Sequence, residues 1–356
     1  MAVRGPSWRP RRCSIMAKSA PGPVPPGHCQ RRLMILGSVS ILVTPLVAQA
    51  QQSGTIRRIG FLSLAAAESS VSQQLQQALR ATLRAVGYEE GKNLLIEWRW
   101  GNDVIASLPA LAADLVDRKV EVIIAVLNDE IAAVMRATRS VPIVMMFGHL
   151  PVEQGFVTSL SHPGGNVTGS TWNPPENAPK LLQLLKEATP TATRIAALWN
   201  PTFPGARLYG SEFERAAPGL GVQLSSFEAT RPDEVLPAMA KLAASKPDGF
   251  FIFLDPVVAS HLAEVTKMAI DHRLASISGA NSFTAAGGLI SYAPDTLENI
   301  RRTIGKVDQI LKGAKPAEIP VEQPTRYILT INLKTARAIG AVIPKSMLLR
   351  ADKIIE

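Results

Sequence analysis

The side chains of this chain that could do chemistry sit at recurring places, just beyond short apolar runs. In the first half these are Ser63, after residues 58–62, Asn128 and Asp129, after residues 120–126, and His149, after residues 142–147. In the second half they are Asn200, Asp255 and Asn281, with Tyr292 closing the run 288–291; Trp172 lies between the two groups. Such residues donate and accept hydrogen bonds and stack on planar groups. Each also has an ordinary structural role open to it. Asn128 and Asp255 stand where helix N-caps stand, and Trp172 fits equally well as packing between the halves. Asp255 is the strongest single candidate for a polar anchor, because it ends the apolar run 250–254 and precedes Pro256 and a helix.

The elements that must position these residues alternate between two periods. Residues 58–63 form an apolar strand. Leu75, Ala78, Leu79, Thr82, Leu83 and Val86 then recur at helical spacing on one face, and Gly87 stands at the C-cap. Strands at 94–100, 120–126 and 142–147 follow, with helices between them. The order begins again at 194–199 and continues through strands at 222–227, 249–254 and 274–277. Near-continuous apolar strands separated by helices predict parallel sheets covered on both faces. The expected fold class is therefore α/β, with two doubly wound parallel-sheet lobes and a cleft between them. Lobe one is expected to span residues 55–167 plus a helix at 295–317, and lobe two residues 168–294 plus 318–356. Gly164, Gly165, Asn166 and Gly169 are expected to form the turn that joins them. In open sheets of this kind ligands bind at the C-terminal ends of the strands, so the nine residues are expected to face one another across the cleft.

Motifs for bond-making chemistry are missing. The first strand is not followed by G-x-G-x-x-G, and there is no phosphate-binding loop, no G-x-S-x-G elbow and no H-E-x-x-H. The five histidines are scattered, and neither cofactor nor metal is expected. The formal charge of +9 suggests a polyanionic partner until its location is considered. Residues 1–50 hold seven of the 38 basic residues and none of the 29 acidic ones, so the remainder is close to neutral. No nucleic-acid footprint remains.

Residues 1–50 carry a different message. Residues 1–30, rich in Pro and Arg, read as a disordered prefix or one upstream of the true start. Residues 31–50 read as a signal peptide: Arg31 and Arg32 are followed by an apolar core over 33–47 and then by Ala48, Gln49 and Ala50, a small-x-small cleavage site. The apolar core is too short for a transmembrane helix, which needs roughly 20 apolar residues. Cleavage after Ala50 and a periplasmic location are expected. Both cysteines, Cys13 and Cys29, precede that site, so the exported chain carries neither disulfide nor cysteine nucleophile.

Ordered segments along the chain resemble the ABC-transporter substrate-binding proteins of the tryptophan/tyrosine type, which have the type I periplasmic-binding fold. The carriers are residues 58–62 (RIGFL), 159–169 (SLSHPGGNVTG), 200–202 (NPT), 286–292 (AGGLISY), 320–325 (PVEQPT) and 331–336 (INLKTA), with Ile343 and Pro344. This resemblance implies a monomeric protein that captures a small organic solute, an amino acid or an aromatic compound, and delivers it to an ABC permease and its ATPase subunit. It implies no enzymatic step. One departure bears on the ligand. Where relatives carry Gly-Asp-Pro-Val, this chain has His149, Leu150, Pro151 and Val152. Loss of that carboxylate shifts the expectation toward a neutral or anionic aromatic or aliphatic solute. A ligand-sensing module for a receptor is the alternative, and an exported hydrolase a more distant one.

Overall fold

A computed structural model describes residues 22, 56–203 and 205–356. The expected prefix, the signal peptide at 31–50 and its cleavage site lie outside the described residues.

The first sheet takes β1 (Arg57–Ser63), β2 (Leu94–Trp100), β3 (Val122–Ala125), β4 (Ile143–Gly148) and β5 (Val167–Thr171), in the spatial order β2-β1-β3-β4-β5. All its pairings are parallel. The connecting helices are α1 (Ser70–Ala85), α2 (Leu108–Asp117) and α3 (Asn128–Ala137). After α4 (Ala178–Ala188) the pattern repeats strand for strand with β6 (Arg194–Trp199), β7 (Gln223–Glu228), β8 (Gly249–Ile252), β9 (Ala275–Ser278) and β10 (Ile290–Pro294). Here the order is β7-β6-β8-β9-β10, so β6 corresponds to β1 and β8 to β3. Helices α5 (Ala206–Ala216), α6 (Pro232–Ala244), α7 (Pro256–Ala259), α8 (Leu262–Asp271) and α9 (Asn281–Ala285) connect them, and α10 (Thr296–Leu311) follows β10. The tail adds β11 (Tyr327–Asn332), antiparallel to β10, then α11 (Leu333–Ile339), α12 (Lys345–Arg350) and β12 (Lys353–Ile355).

Burial of both faces explains the strand composition. In β1, Ile59 and Phe61 point to one apolar layer with Leu79 and Leu83 of α1, while Leu62 points to the other with Leu115 of α2. The stripe Ile300, Ile304 and Val307 of α10 completes the first of these layers. Although α10 follows β10 in the chain, it packs on the first sheet. The chain therefore passes between the two sheets three times: after β5, after β10, and before β11.

Two boundaries differ from the sequence expectation. Residues 164–166 do not cross between lobes. Asn166 accepts from the Ile143 N–H (2.8 Å) and donates from its amide to Val141 O (2.9 Å), which places the turn inside the first lobe. The strand it introduces belongs to the first sheet as far as Thr171. Gly169, at φ +142°, lies so close to β4 that a Cβ there would be 2.3 Å from Met145 O, so this glycine serves close strand packing and does not form a hinge. Residues 318–322 also stay with the first lobe. Glu322 donates its N–H to Gly169 O (3.0 Å) and accepts from Thr171 N (2.8 Å), and its carboxylate pairs with the buried ammonium of Lys306 on α10. The first crossing begins at Trp172 and the last follows Glu322.

Candidate functional site

At the mouth of the first lobe, backbone groups at strand ends are satisfied by buried side chains. Glu130, 1% exposed, accepts from Leu64 N (2.7 Å) with one oxygen and from Leu127 N (3.2 Å) with the other. It ties the loop after β1 to the loop after β3. Burial pushes its carboxyl above the usual range, against the opposing pull of those backbone donors. Asn128 makes a reciprocal pair with the backbone of His149: its amide donates to His149 O (2.9 Å), and its oxygen accepts from His149 N (2.8 Å). Ser63, buried at the end of β1, accepts from Ala65 N (3.3 Å). Asp129 is exposed.

Lobe two satisfies the corresponding strand ends with different residues. Asp255, 2% exposed, caps α7 by accepting from Val258 N (2.9 Å), and its second oxygen accepts from the Asn200 amide (2.7 Å). Asn200 in turn accepts from the N–H and hydroxyl of Thr202 (3.0 and 2.7 Å). Burial raises the Asp255 carboxyl, with these donors pulling it back. Asn281 donates to Pro294 O (3.1 Å), and its buried oxygen has no partner among the described residues. Tyr292 stacks on Tyr327, with ring centroids 5.1 Å apart and planes 18° from parallel.

The lobes meet around the loops after β4 and β6. The His149 and Phe203 rings stand nearly perpendicular, 81° between planes and 5.6 Å between centroids, and Leu150 lies against Gly205, where a Cβ would come within 3.1 Å of Leu150 Cδ1. Beside this contact is a cavity of about 190 Å³. Lobe one contributes His149, Leu150 and Thr171, the first crossing contributes Trp172 and Glu176, and lobe two contributes Gly205, Tyr209 and Phe253. The aromatic walls are braced: Trp172 packs edge-on against Phe147 (4.8 Å), Phe253 against Phe203 (5.7 Å) and Tyr209 (5.1 Å), and the Tyr209 hydroxyl donates to Asn173 O (3.1 Å). Burial lowers His149 to about 4, so its imidazole is neutral near pH 7. Leu150 holds φ +48°, a left-handed conformation that asparagine and aspartate adopt far more readily than leucine.

Of the nine residues singled out in sequence, His149 and Trp172 line this cavity. Asn128 sits directly behind it, holding His149. Asn200 and Asp255 are bonded to each other, Ser63 and Asn281 hold local backbone, Asp129 is exposed, and Tyr292 pairs with Tyr327. Sequence reasoning missed Tyr209, Phe253, Thr171 and the buried Glu130. Glu130 carried a readable signal, an acidic residue in the first turn of a helix directly after a buried strand. Among the described residues no group of three or more histidines, cysteines or carboxylates could hold a metal ion. No described helix is long and apolar enough to cross a membrane.

Two parallel-sheet lobes joined by three crossings, with a cavity where they meet, define the architecture of type I periplasmic binding proteins. The chain belongs to the family described as ABC transporter substrate binding protein, whose model matches residues 66–355. It is 25% identical to a tyrosine-binding protein of Clostridioides difficile over 269 residues, 74% of this chain and 77% of that one. Among solved structures, a conserved domain protein from Vibrio cholerae aligns with a TM-score of 0.77 at 26% identity, covering 84% of this chain and all of that one. An ABC domain from Streptococcus pneumonia in complex with L-Trp aligns with a TM-score of 0.77 at 24% identity, over 85% of this chain and all of that one.

Proposed function

We propose that this protein is the solute-capturing component of an ABC importer: exported with loss of residues 1–50, monomeric in the periplasm, and delivering a small ring-bearing solute to a membrane permease driven by a separate ATPase. The observation that carries this reading is the junction cavity, whose walls come from both lobes and from the crossing between them. A solute held there touches Trp172 on the first crossing together with Tyr209 and Phe253 on the second lobe. Those contacts are complete only when the lobes are together. Ligand therefore shifts the population toward the closed arrangement by its differential affinity for that state. Aromatic walls suit a planar solute, because rigid rings give large contact area for little lost entropy. The tyrosine-binding relative is consistent with a ring-bearing ligand.

The reading is tested by native mass spectrometry of the protein purified from the exported fraction without refolding. A stoichiometric, non-covalent small mass should accompany the chain, and N-terminal sequencing should begin at Gln51. A chain that carries no small molecule as isolated and takes up none from a growth-medium extract would refute capture.

A further inference from the structure

Two of the three crossings pass from the hold of one lobe to the hold of the other between adjacent residues. On the first, Trp172 donates its N–H to Gly148 O in lobe one (3.0 Å). Asn173 already belongs to lobe two. Its carbonyl accepts from the Tyr209 hydroxyl (3.1 Å), and its amide lies so near Gly279 that a Cβ there would come within 2.5 Å of Asn173 Nδ2. On the second, Asn281 of lobe two holds Pro294 O (3.1 Å), and the next residue, Asp295, caps α10 by accepting from Leu297 N (2.9 Å) and Glu298 N (3.2 Å). The Asp295 N–H also donates to Arg326 O (3.0 Å), which couples the second crossing to the third.

The third crossing is longer. Lobe one holds it at Glu322 through the buried Lys306, and lobe two takes it up at Tyr327, the first residue of β11. Gln323, Pro324, Thr325 and Arg326 lie between, and Gln323 lines the junction cavity. Arg302 of α10, with its side chain only 17% exposed, spans this gap. Its Nη1 donates to Gln323 O (2.5 Å), its Nη2 donates to Thr325 Oγ1 (2.6 Å), and Glu298, one turn earlier on α10, pairs with it. A planar guanidinium holds two acceptors in fixed geometry, whereas a lysine ammonium is a point charge on a flexible stem. Among the described residues, the one other side-chain bond on residues 323–325 is the long contact from Thr325 to Glu298 (3.4 Å).

We infer that Arg302 is the positioning residue of the hinge: it extends lobe one's hold on the third crossing from Glu322 to Thr325, so that the third bend falls at Arg326, beside the second. Two neighbouring bends and the separate one at Trp172–Asn173 define a single axis, about which the lobes turn as rigid bodies. Without Arg302, residues 323–326 become a short flexible linker. The axis is then no longer fixed, and Gln323 loses its place on the cavity wall. This goes beyond the capture reading and requires only that the lobes move, whatever solute they hold.

The test measures the separation of the lobes directly. Spin labels are placed at Gln77→Cys on α1 and Ala240→Cys on α6, both exposed positions, in the full chain carrying Cys13→Ser and Cys29→Ser. Pulsed electron–electron double resonance then gives the distance distribution after extensive dialysis. Arg302→Gln should widen that distribution by about 1.5-fold, and Thr325→Val, a change at an exposed residue, should widen it less. Arg302→Lys keeps the charge but not the fork, and should widen it as Arg302→Gln does. Near-ultraviolet circular dichroism checks that each variant is folded. A wild-type width in folded Arg302→Gln, or its restoration in Arg302→Lys, overturns the inference. If Arg302→Gln does not fold, Thr325→Val decides, and a wild-type width there overturns it. Unchanged widths beside a bound small mass in native mass spectra leave capture standing and remove only the hinge assignment.

Discussion

The two lobes solve the same local problem with different side chains. In each, the loop after the first strand must be fixed to the loop after the third, and in each a single buried carboxylate does it. In lobe one Glu130 reaches across to two backbone N–H groups, Leu64 and Leu127. In lobe two Asp255 caps its own short helix and grips Asn200 through a side-chain bond. The first tie satisfies only backbone, whereas the second runs through an amide that in turn organises Thr202. Polar residues at strand ends are thus occupied mainly in holding the mouth of each lobe rigid. The walls of the junction cavity come from aromatic residues and from the first crossing.

This difference predicts unequal sensitivity. Glu130→Ala should be the most damaging change, because it leaves two buried N–H groups without acceptors at about 1–3 kcal/mol each. Chemical denaturation should show a loss of about 2–4 kcal/mol, and a loss below 1 kcal/mol would mean the tie is dispensable. Asp255→Asn keeps an acceptor for the α7 cap but turns one oxygen into a donor facing the Asn200 amide. A smaller loss of about 1–2 kcal/mol is expected, with faster amide exchange confined to residues 200–203. Exchange that spreads across the whole second sheet would show the tie to be structural for the lobe and not local to its mouth.

The third expectation concerns pH and separates His149 from the two carboxylates. His149 has its folded pKa lowered to about 4 by burial, so the unfolded chain binds the extra proton first as pH falls. Stability owed to neutral His149 is present above the ordinary value of 6.5 and is lost as pH drops toward 4. Glu130 and Asp255 have raised folded values, and the sign reverses. Their burial penalty is absent below the ordinary values of 4.5 and 3.8 and appears as pH rises above them. His149→Gln should therefore flatten the stability profile between pH 4 and 6.5, by up to about 3 kcal/mol across the window. Thermal melts at several pH values check this, and a variant profile parallel to wild type would contradict it.

Much of the fold was legible in the sequence because it rests on local periodicity. Apolar strands alternating with amphipathic helices, restarting at Arg194, correspond to two sheets whose strand orders match. Boundaries were less legible. Gly164, Gly165 and Asn166 signal a turn, but no residue pattern says which sheet the next strand joins. That is decided by the fit of Gly169 against Met145 and by the Lys306–Glu322 pair, contacts between distant residues. The polar strand-end residues could be listed from sequence, but their roles could not be assigned. Asn128 spends itself on His149, 21 residues away, and Asn200 on Asp255, 55 away. Tyr209 and Phe253 lie on an amphipathic helix and at the end of an apolar run, which reads as core. They are core residues that also form a cavity wall.

The central claim is that the solute rests on the aromatic wall at the first crossing and not on the strand-end carboxylate. The most direct measurement is the fraction of protein that carries its co-purified small molecule in native mass spectra of wild type, Trp172→Ala and Asp255→Asn, prepared identically. Occupancy should fall by at least about tenfold in Trp172→Ala, as expected for removing an aromatic anchor from a desolvated contact, and should stay within about twofold of wild type in Asp255→Asn. Retained occupancy in a folded Trp172→Ala, or its loss in a folded Asp255→Asn, would contradict the account.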